Sequence, residues 1–148
     1  MGLFSTIDIS SSGLTAQRLR MDIISNNIAN VNTTRSKNGE PYRRQIPVFQ
    51  ERGSGIRFKD IFLQKEADNQ IQKGVRVVGI KEDQSPFKLV YNPDHPDANE
   101  DGYVKMPNVD IIREMVDLIS ASRAYEANVT AINSSKNIFL KALEIARP

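Results

Sequence analysis

The fold depends first on VDIIREMVDLISASRAYEANVTAINSSKNIFLKALEIA, which runs from Val109 to Ala146 without a glycine or a proline. Large apolar or aromatic residues recur in it at intervals of seven, namely Ile111, Leu118, Tyr125, Ile132 and Phe139, with Met115, Val129 and Leu143 on a second line. This spacing is typical of helices that pack as coiled coils. At about 1.5 Å per residue the helix would be roughly 55 Å long, too long to bury its apolar stripe within so small a chain. We therefore expect it to pack against partners.

A second helical pattern runs from Leu3 to Val31. Residues on one line again stand seven apart, namely Ile7, Leu14, Met21 and Ile28. The run from Ser10 to Gly13 consists of weak helix formers. We therefore predict that a steady helix begins near Ser11 or Ser12 as N-cap, and that the first ten residues are flexible until a partner binds them.

The region between the helices, from about Asn32 to Asn108, holds most of the glycines and prolines. VRVVGIK (Val75 to Lys81) and FKLVY (Phe87 to Tyr91) predict two strands joined as a hairpin, and YRRQIPVFQE predicts an edge strand broken at Pro47. We therefore predict a mainly α fold with a β insert. Its regions are 1–31 (helical), 32–108 (β and loop) and 109–148 (long helix), and its terminal helices pack as a coiled-coil-like bundle.

Bulk properties exclude several classes of protein. The 148 residues carry a formal charge of +2, which gives no broad electrostatic footprint for nucleic acid. There is no cysteine, hence no disulfide and no thiolate metal site. No apolar run approaches the ~18 residues of a membrane span, and the N-terminus does not resemble a Sec signal, so we expect a chain that does not span a membrane and that uses another route if it is exported.

Chemical sites are weakly indicated, and we predict no catalytic residue, no cofactor and no metal ligand. Asp97 to Gly102 matches the first half of a calcium-binding loop, but Asn108 stands where a bidentate glutamate is needed. His95 is the only histidine, and we expect it to fix the conformation of its loop. Arg35, Lys37, Arg43 and Arg44 form a modest basic patch, which we interpret as solvated loop in preference to a surface for anionic lipid or peptidoglycan.

Four asparagines crowd near the end of the first helical pattern: Asn26, Asn27, Asn30 and Asn32. Asparagine is a weak helix former that competes for backbone hydrogen bonds. Asn30 and Asn32 are therefore interpreted as cap and turn residues. Asn26 and Asn27 lie one turn earlier, beside the apolar stripe, where a half-buried amide can fix the register of packed helices.

Both ends of the chain resemble the bacterial flagellar rod and hook family. The resemblance rests on SGLTAQR (Ser12 to Arg18) followed by SNNIANVNT (Ser25 to Thr33), and on EMVDLISASRAYEAN (Glu114 to Asn128). Within the family, NPDHPDA (Asn92 to Ala98) and GYVKMPNV (Gly102 to Val109) are similar to the members of the proximal rod. The resemblance spans nearly the whole chain and is weakest from Pro47 to Gly74.

The resemblance implies a structural subunit of the proximal rod in the periplasmic part of the basal body. Such a subunit is exported unfolded by the flagellar type III apparatus and assembles through its terminal helices with itself, with other proximal and distal rod subunits and with a basal-body adaptor. An adaptor module whose terminal helices fold on a single helical partner remains the alternative.

The residues expected at subunit contacts lie on the apolar lines or beside them, and the resemblance implies that the asparagine amides bond across the contact. The expected contact residues are Leu14, Arg18, Met21, Ile24, Asn26, Asn27, Ile28, Asn30, Val31, Ile111, Met115, Leu118, Arg123, Tyr125, Asn128, Val129, Ile132 and Phe139.

Overall fold

Two long helices dominate the computed structural model, which describes residues 3–36, 38–52 and 74–145. Helix α1 spans Leu3–Ala29 and helix α2 spans Ile111–Ile145. Four strands lie between them along the chain: β1 (Gln45–Glu51), β2 (Val75–Glu82), β3 (Lys88–Tyr91) and β4 (Tyr103–Met106). The prediction of a mainly α fold with packed terminal helices and a small β region between them is confirmed.

The start of α1 differs from the prediction. The helix begins at Leu3, so the assignment of Ser11 or Ser12 as its N-cap was wrong. The Ser12 hydroxyl instead donates to the Ile9 carbonyl (2.7 Å) and accepts from the Val75 backbone N–H (3.1 Å). A serine that bonds back into the preceding turn leaves a helix continuous. Its oxygen is therefore free to satisfy the first N–H of β2.

The asparagines close α1 as the sequence predicts. The Asn30 side-chain amide donates to the carbonyl of Asn26 (2.9 Å), which also accepts the Asn30 backbone N–H (3.1 Å), so both groups of Asn30 close the last turn of the helix. The Thr33 hydroxyl donates to the Asn30 side-chain oxygen (3.2 Å), and Asn32 lies in the turn after the helix. The interpretation of Asn30 and Asn32 as cap and turn residues is confirmed.

Helix α2 has an aspartate as its N-cap. The Asp110 carboxylate accepts the backbone N–H groups of Ile112 (3.0 Å) and Arg113 (3.4 Å), which would otherwise be unpaired at the helix start. This cap fixes the start of α2 at Ile111.

The predicted hairpin between the second and third strands was wrong. β2 pairs with β1, and β3 pairs with β4 in an antiparallel ribbon whose register aligns Val90 with Val104. Asn108 explains the difference, because its side-chain amide donates to the carbonyls of Asp83 (3.0 Å) and Ser85 (3.2 Å) in the segment that connects β2 to β3. That segment is therefore held by a residue distant in sequence.

β1 runs through Pro47 without a break, contrary to the prediction. The Gln45 backbone faces away from β2, because its N–H and its carbonyl both bond to the side chain of Asn27. Strand residues alternate between their two edges, so Pro47 also faces the outer edge, where its missing N–H removes no ladder bond.

The described chain forms two compact units. One comprises Arg18–Val48 and Gly79–Ser122, and the other comprises the described parts of Met1–Gln17, Phe49–Val78 and Arg123–Pro148. The buried apolar residues among those described are few and mostly small or medium in size: Ala16, Ile23, Ile24, Val104, Val109 and Ala121. Polar contacts therefore carry much of the internal packing.

Candidate assembly site

Asn27 lies at the centre of a polar cluster formed with Tyr42, Arg44, Gln45 and Glu114, called here the Asn27 cluster. Its side chain is 1% exposed. The amide nitrogen donates to the Gln45 carbonyl (2.9 Å) and to Glu114 Oε2 (3.1 Å), and the amide oxygen accepts from the Gln45 N–H (2.9 Å) and the Tyr42 hydroxyl (2.9 Å). These bonds use all four hydrogen-bonding positions of the side chain. Asn27 thus ties α1 to β1 and to the first turn of α2.

Glu114 is a fully buried carboxylate whose charge is compensated. Its Oε1 accepts from Arg44 Nε at 2.6 Å, and its Oε2 accepts from Asn27. The same guanidinium lies 3.7 Å from Asp83 and 3.6 Å from Asp117, and Asp117 also accepts from Arg20 at 3.0 Å. Burial of a carboxylate is costly unless it is paired and hydrogen-bonded. Arg44 is therefore required at this point.

Two groups in and beside the Asn27 cluster have shifted pKa values. Burial raises the pKa of Tyr42, and the carboxylates of Glu114 and Glu82 raise it further because a phenolate beside them would be repelled. Hydrogen bonds from the Ser85 hydroxyl and backbone N–H lower the pKa of Asp83, and the nearby Arg44 guanidinium lowers it further. Tyr42 therefore stays neutral and Asp83 stays ionised over the neutral range.

Two of the predicted contact residues, Ile24 (4% exposed) and Asn27, are buried within the chain. Asn27 therefore fixes register among segments of its own chain, and its role at a subunit contact stays a prediction. Ile111, Met115, Phe139, Arg18, Asn26 and Arg123 are exposed. The remaining predicted residues are partly buried: Leu14, Met21, Ile28, Asn30, Val31, Leu118, Tyr125, Asn128, Val129 and Ile132.

The line of α2 that is buried inside the chain is not the predicted apolar line. Its members again stand seven apart, but they are polar or small: Glu114, Ala121 and Ser135 are buried, and Asn128 is half-buried. Sequence reasoning missed this line because a search for apolar residues at regular spacing does not detect polar and small ones.

Large apolar residues on other faces of α2 remain exposed. In its first three turns these are Ile112 (77%), Met115 (53%), Val116 (62%) and Ile119 (54%), called here the α2 apolar face. Toward the end of the helix, Ile138, Phe139, Leu140 and Leu143 are also exposed. Contiguous exposed apolar surface of this kind marks interaction sites. By contrast, within residues 5–29 of α1, whose side chains the structure describes, the exposed positions are polar or small: Thr6, Asp8, Ser11, Thr15, Arg18, Asp22, Ser25, Asn26 and Ala29.

Gly13 permits a close approach between the two helices in the unit that contains it. A Cβ atom at this position would lie 2.9 Å from Asn128 Oδ1, which is closer than real Cβ contacts. The sequence pattern suggested only that this glycine weakens the helix. In the structure its lack of a side chain makes room for Asn128.

The basic patch predicted from the sequence does not form one surface. Arg44 is paired with Glu114, and the Arg43 guanidinium lies over the Phe87 ring at 4.2 Å from its centroid. Arg35 lines an open groove of about 270 Å³ together with Asp97, Tyr103 and Lys105, while Lys37 lies outside the described residues. The His95 ring accepts the Asp97 backbone N–H (3.1 Å), which confirms that it fixes its loop.

Within residues 3–36, 38–52 and 74–145, no group of three or more histidine or acidic side chains is placed to hold a metal ion. Across these same residues, neither helix combines the length and the hydropathy of a membrane span.

Comparison with known proteins agrees with the sequence motifs. Residues 7–37 match the family described as flagella basal body rod protein, and residues 100–145 match the family described as flagellar basal body rod FlgEFG protein C-terminal. The first match covers the SGL and SNNIANVNT motifs, and the second covers β4 and α2.

Relatives match over almost their whole length. The flagellar basal-body rod protein FlgC of Borreliella burgdorferi is 56% identical, with 98% of each chain covered. The FlgC proteins of Bacillus subtilis and Salmonella typhimurium are 50% and 40% identical, with 99% of this chain and 100% of each relative covered. The matched lengths include the β region as well as the helices. The chain therefore belongs to the FlgC family of flagellar basal-body rod proteins, which are structural components of the flagellum and not enzymes.

Proposed function

We propose that this chain is a subunit of the proximal rod, exported unfolded by the flagellar type III apparatus and assembled through its terminal helices into the helical drive shaft in the periplasm. The α2 apolar face carries the proposal. Its side chains are large, contiguous and more than half exposed, although few apolar residues are buried in the part of the chain that the structure describes. Burial of such surface at about 25 cal/mol per Å² is a strong drive to assemble.

In this proposal, different surfaces of the two helices stabilise the subunit and bind its neighbours. The polar line of α2 and the Asn27 cluster hold the subunit together, whereas the apolar residues of α2 bind α2 or other apolar surface of neighbouring rod subunits. The exposed positions of α1 within residues 5–29 are polar or small, so this part of α1 contributes hydrogen bonds and the packing of its half-buried residues. Export as an unfolded chain is compatible with the absence of cysteine and with this small core.

The test is complementation of a bacterium that lacks its own member of this family. Ile112→Asp and Ile119→Asp put a carboxylate into the proposed contact, while Arg113→Gln changes an exposed residue on the same turns. We expect the two aspartate variants to be exported, to fold as the parent does when isolated, and to form no rods. Arg113→Gln should restore motility.

Motile cells with intact rods carrying both Ile112→Asp and Ile119→Asp would show that the α2 apolar face is not an assembly contact. Mixing the purified chain with other rod proteins separates the proposal from the adaptor alternative. A rod subunit forms species that grow with concentration, whereas an adaptor saturates at a fixed ratio.

A further inference from the structure

The loop between α1 and β1 contains the sequence Ser36-Lys37-Asn38-Gly39-Glu40, the one place where glycine follows asparagine in this chain. The Gly39 N–H donates to the Ser36 carbonyl (2.9 Å), and the Ser36 N–H donates to the Glu40 carbonyl (2.8 Å). Gly39 has a φ of 77°. A turn hydrogen bond donated by a glycine of positive φ is a geometry that a residue with a side chain rarely adopts. The turn type explains the glycine, and the glycine leaves its neighbour Asn38 open to attack.

From this juxtaposition of Asn38 and Gly39 we infer that Asn38 is a site of spontaneous deamidation. The Gly39 nitrogen, after losing its proton, attacks the Asn38 side-chain carbon and forms a five-membered succinimide, and ammonia leaves with a proton from water. Water then opens the ring at one of its two carbonyls. Opening at one gives aspartate, and opening at the other gives isoaspartate, whose main chain passes through the side-chain methylene. No enzyme and no redox partner is required.

The surroundings of Asn38 favour this reaction. Asn38 and Gly39 are both exposed, and a Cβ built on Gly39 would meet no atom within 4 Å, so water and base reach the peptide nitrogen. Glycine has no side chain to obstruct the attacking nitrogen. The restraint on that nitrogen is a turn hydrogen bond at the surface, and such bonds open at low free-energy cost.

Other described asparagines lack this combination. Asn99 provides the closest comparison, because it also lies in an exposed loop. Its side-chain oxygen accepts the Tyr103 N–H at 2.7 Å, and the bulkier Glu100 follows it. Asn27 and Asn30 are held by the bonds described above. Selectivity for Asn38 therefore follows from the glycine that comes after it and from the exposure of its side chain.

Deamidation would change the charge of a defined surface. It replaces a neutral amide by a carboxylate in a loop whose Gly39 and Arg35 both line the open groove with Asp97 and Lys105. The formal charge of the chain, +2 at neutral pH, falls by one unit for each event. An isoaspartate also lengthens the main chain of the loop, which displaces the bond between Ser36 and Glu40. The modified subunit therefore presents a different loop to its neighbours.

The test is incubation of the full-length chain at mildly alkaline pH, followed by peptide mapping with mass spectrometry and an isoaspartate assay. We expect the mass of the peptide containing Asn38 to rise by the difference between a hydroxyl group and the NH2 group that it replaces. The mass of the peptide containing Asn99 should stay unchanged. Asn38→Gln should abolish the change, since glutamine would need a larger ring. Gly39→Ala should slow it several-fold.

Two results would overturn the inference. One is an unchanged Asn38 in the folded chain under conditions where the same chain in denaturant deamidates there, which would show that the turn blocks the attack. The other is an equal rate at Asn38 and Asn99. Because Gly39→Ala also strains a positive φ, circular dichroism of both variants should establish that they are folded, and Asn38→Gln leaves that backbone unaltered.

Discussion

At the scale of single residues, the side chain of Asn27 takes the place of a backbone peptide. It offers Gln45 one donor and one acceptor, as a neighbouring strand would, and it offers a donor to Glu114. A buried side chain that satisfies several partners at once is costly to remove, because each partner is left without its bond. The integrity of the unit that contains α2's first turns depends on this one amide.

Replacement of Asn27 by alanine should lower the free energy of unfolding by about 3 kcal/mol, because the Gln45 backbone and Glu114 lose buried hydrogen bonds. Asn27→Asp should be worse, since a carboxylate donates no hydrogen bond and would face the buried Glu114. Urea unfolding of the isolated chain measures both. Asn26→Ala, at an exposed neighbouring position, should change the free energy by only ~0.5 kcal/mol. Equal effects at the two positions would show that the Asn27 cluster is not a stabilising centre.

Asp83 should make stability depend on pH in the acid range. Its pKa is lower in the folded chain than in the unfolded chain, so the unfolded state binds the proton more tightly. The stability that Asp83 contributes is therefore present above the unfolded pKa of about 4, and it is lost as the pH falls through the folded value. Asp83→Asn should flatten this part of the curve of unfolding free energy against pH.

Asp101→Asn is the control for that measurement, because Asp101 is an exposed carboxylate in the turn before β4. If the acid limb of Asp83→Asn followed that of the parent, the bonds from Ser85 and Arg44 would not persist in solution.

At the scale of elements, heptad spacing predicted the existence of both helices but not which of their faces would be used within the chain. The structure buries Glu114 and Ala121 and exposes Val116 and Ile119. An apolar stripe indicates that a helix will be covered, but it does not say whether the cover comes from the same chain. The polar line is the one buried within the chain because Arg44 and Asn27 bond to Glu114 on it. Both residues come from segments distant in sequence.

The pairing of the strands could not be predicted from local sequence either, because it also depends on residues from distant segments. The runs that became β1, β2 and β3 were recognisable from β-branched and aromatic residues, whereas their pairing depends on Asn108 and Asn27, which approach from other parts of the chain. Turn composition favoured a hairpin between β2 and β3. In the structure, hydrogen bonds from Asn108 hold the segment between β2 and β3 in a different conformation, and the two strands do not pair. Asn27 itself was recognised from sequence as a register-fixing amide, but its partners could not be named.

Gly13→Ala is the informative change at this scale. Alanine in a helix interior normally stabilises it by about 1 kcal/mol relative to glycine. Here the added methyl would stand 2.9 Å from Asn128 Oδ1. Moving a short side chain aside in a packed contact should outweigh that gain and leave a net loss of about 1 kcal/mol in unfolding free energy.

Adding Asn128→Ala to Gly13→Ala should restore stability, because it removes the atoms that the methyl meets. Gly79→Ala serves as a control, since nothing lies within 4 Å of a Cβ built there. A Gly13→Ala chain more stable than the parent would show that the close approach of the helices is not maintained in solution.

At the scale of the whole molecule, polar contacts hold the subunit together and exposed apolar surface serves its association with neighbours. Specific hydrogen bonds and charge pairs hold the isolated subunit in shape, although they add little net stability for their number. Large apolar surface stays outside, where association can bury it. A subunit built in this way should be only marginally stable alone and should gain most of its stability from its neighbours.

That balance predicts a gradient of amide exchange along α1 in the verified monomer. Residues around Ile24 and Asn27 are buried and bonded to two other elements, so their amides should exchange slowly. The first turns have weaker anchors: the Asp8 to Arg52 pair spans 3.6 Å between side chains that are at least half exposed, and such pairs contribute at most ~1 kcal/mol. Amides of residues 3–10 should therefore exchange within the earliest time points and become protected when the chain assembles with other rod proteins. Slow exchange across residues 3–10 in the monomer would contradict folding of this segment on assembly, and with it the view that neighbours complete the start of α1.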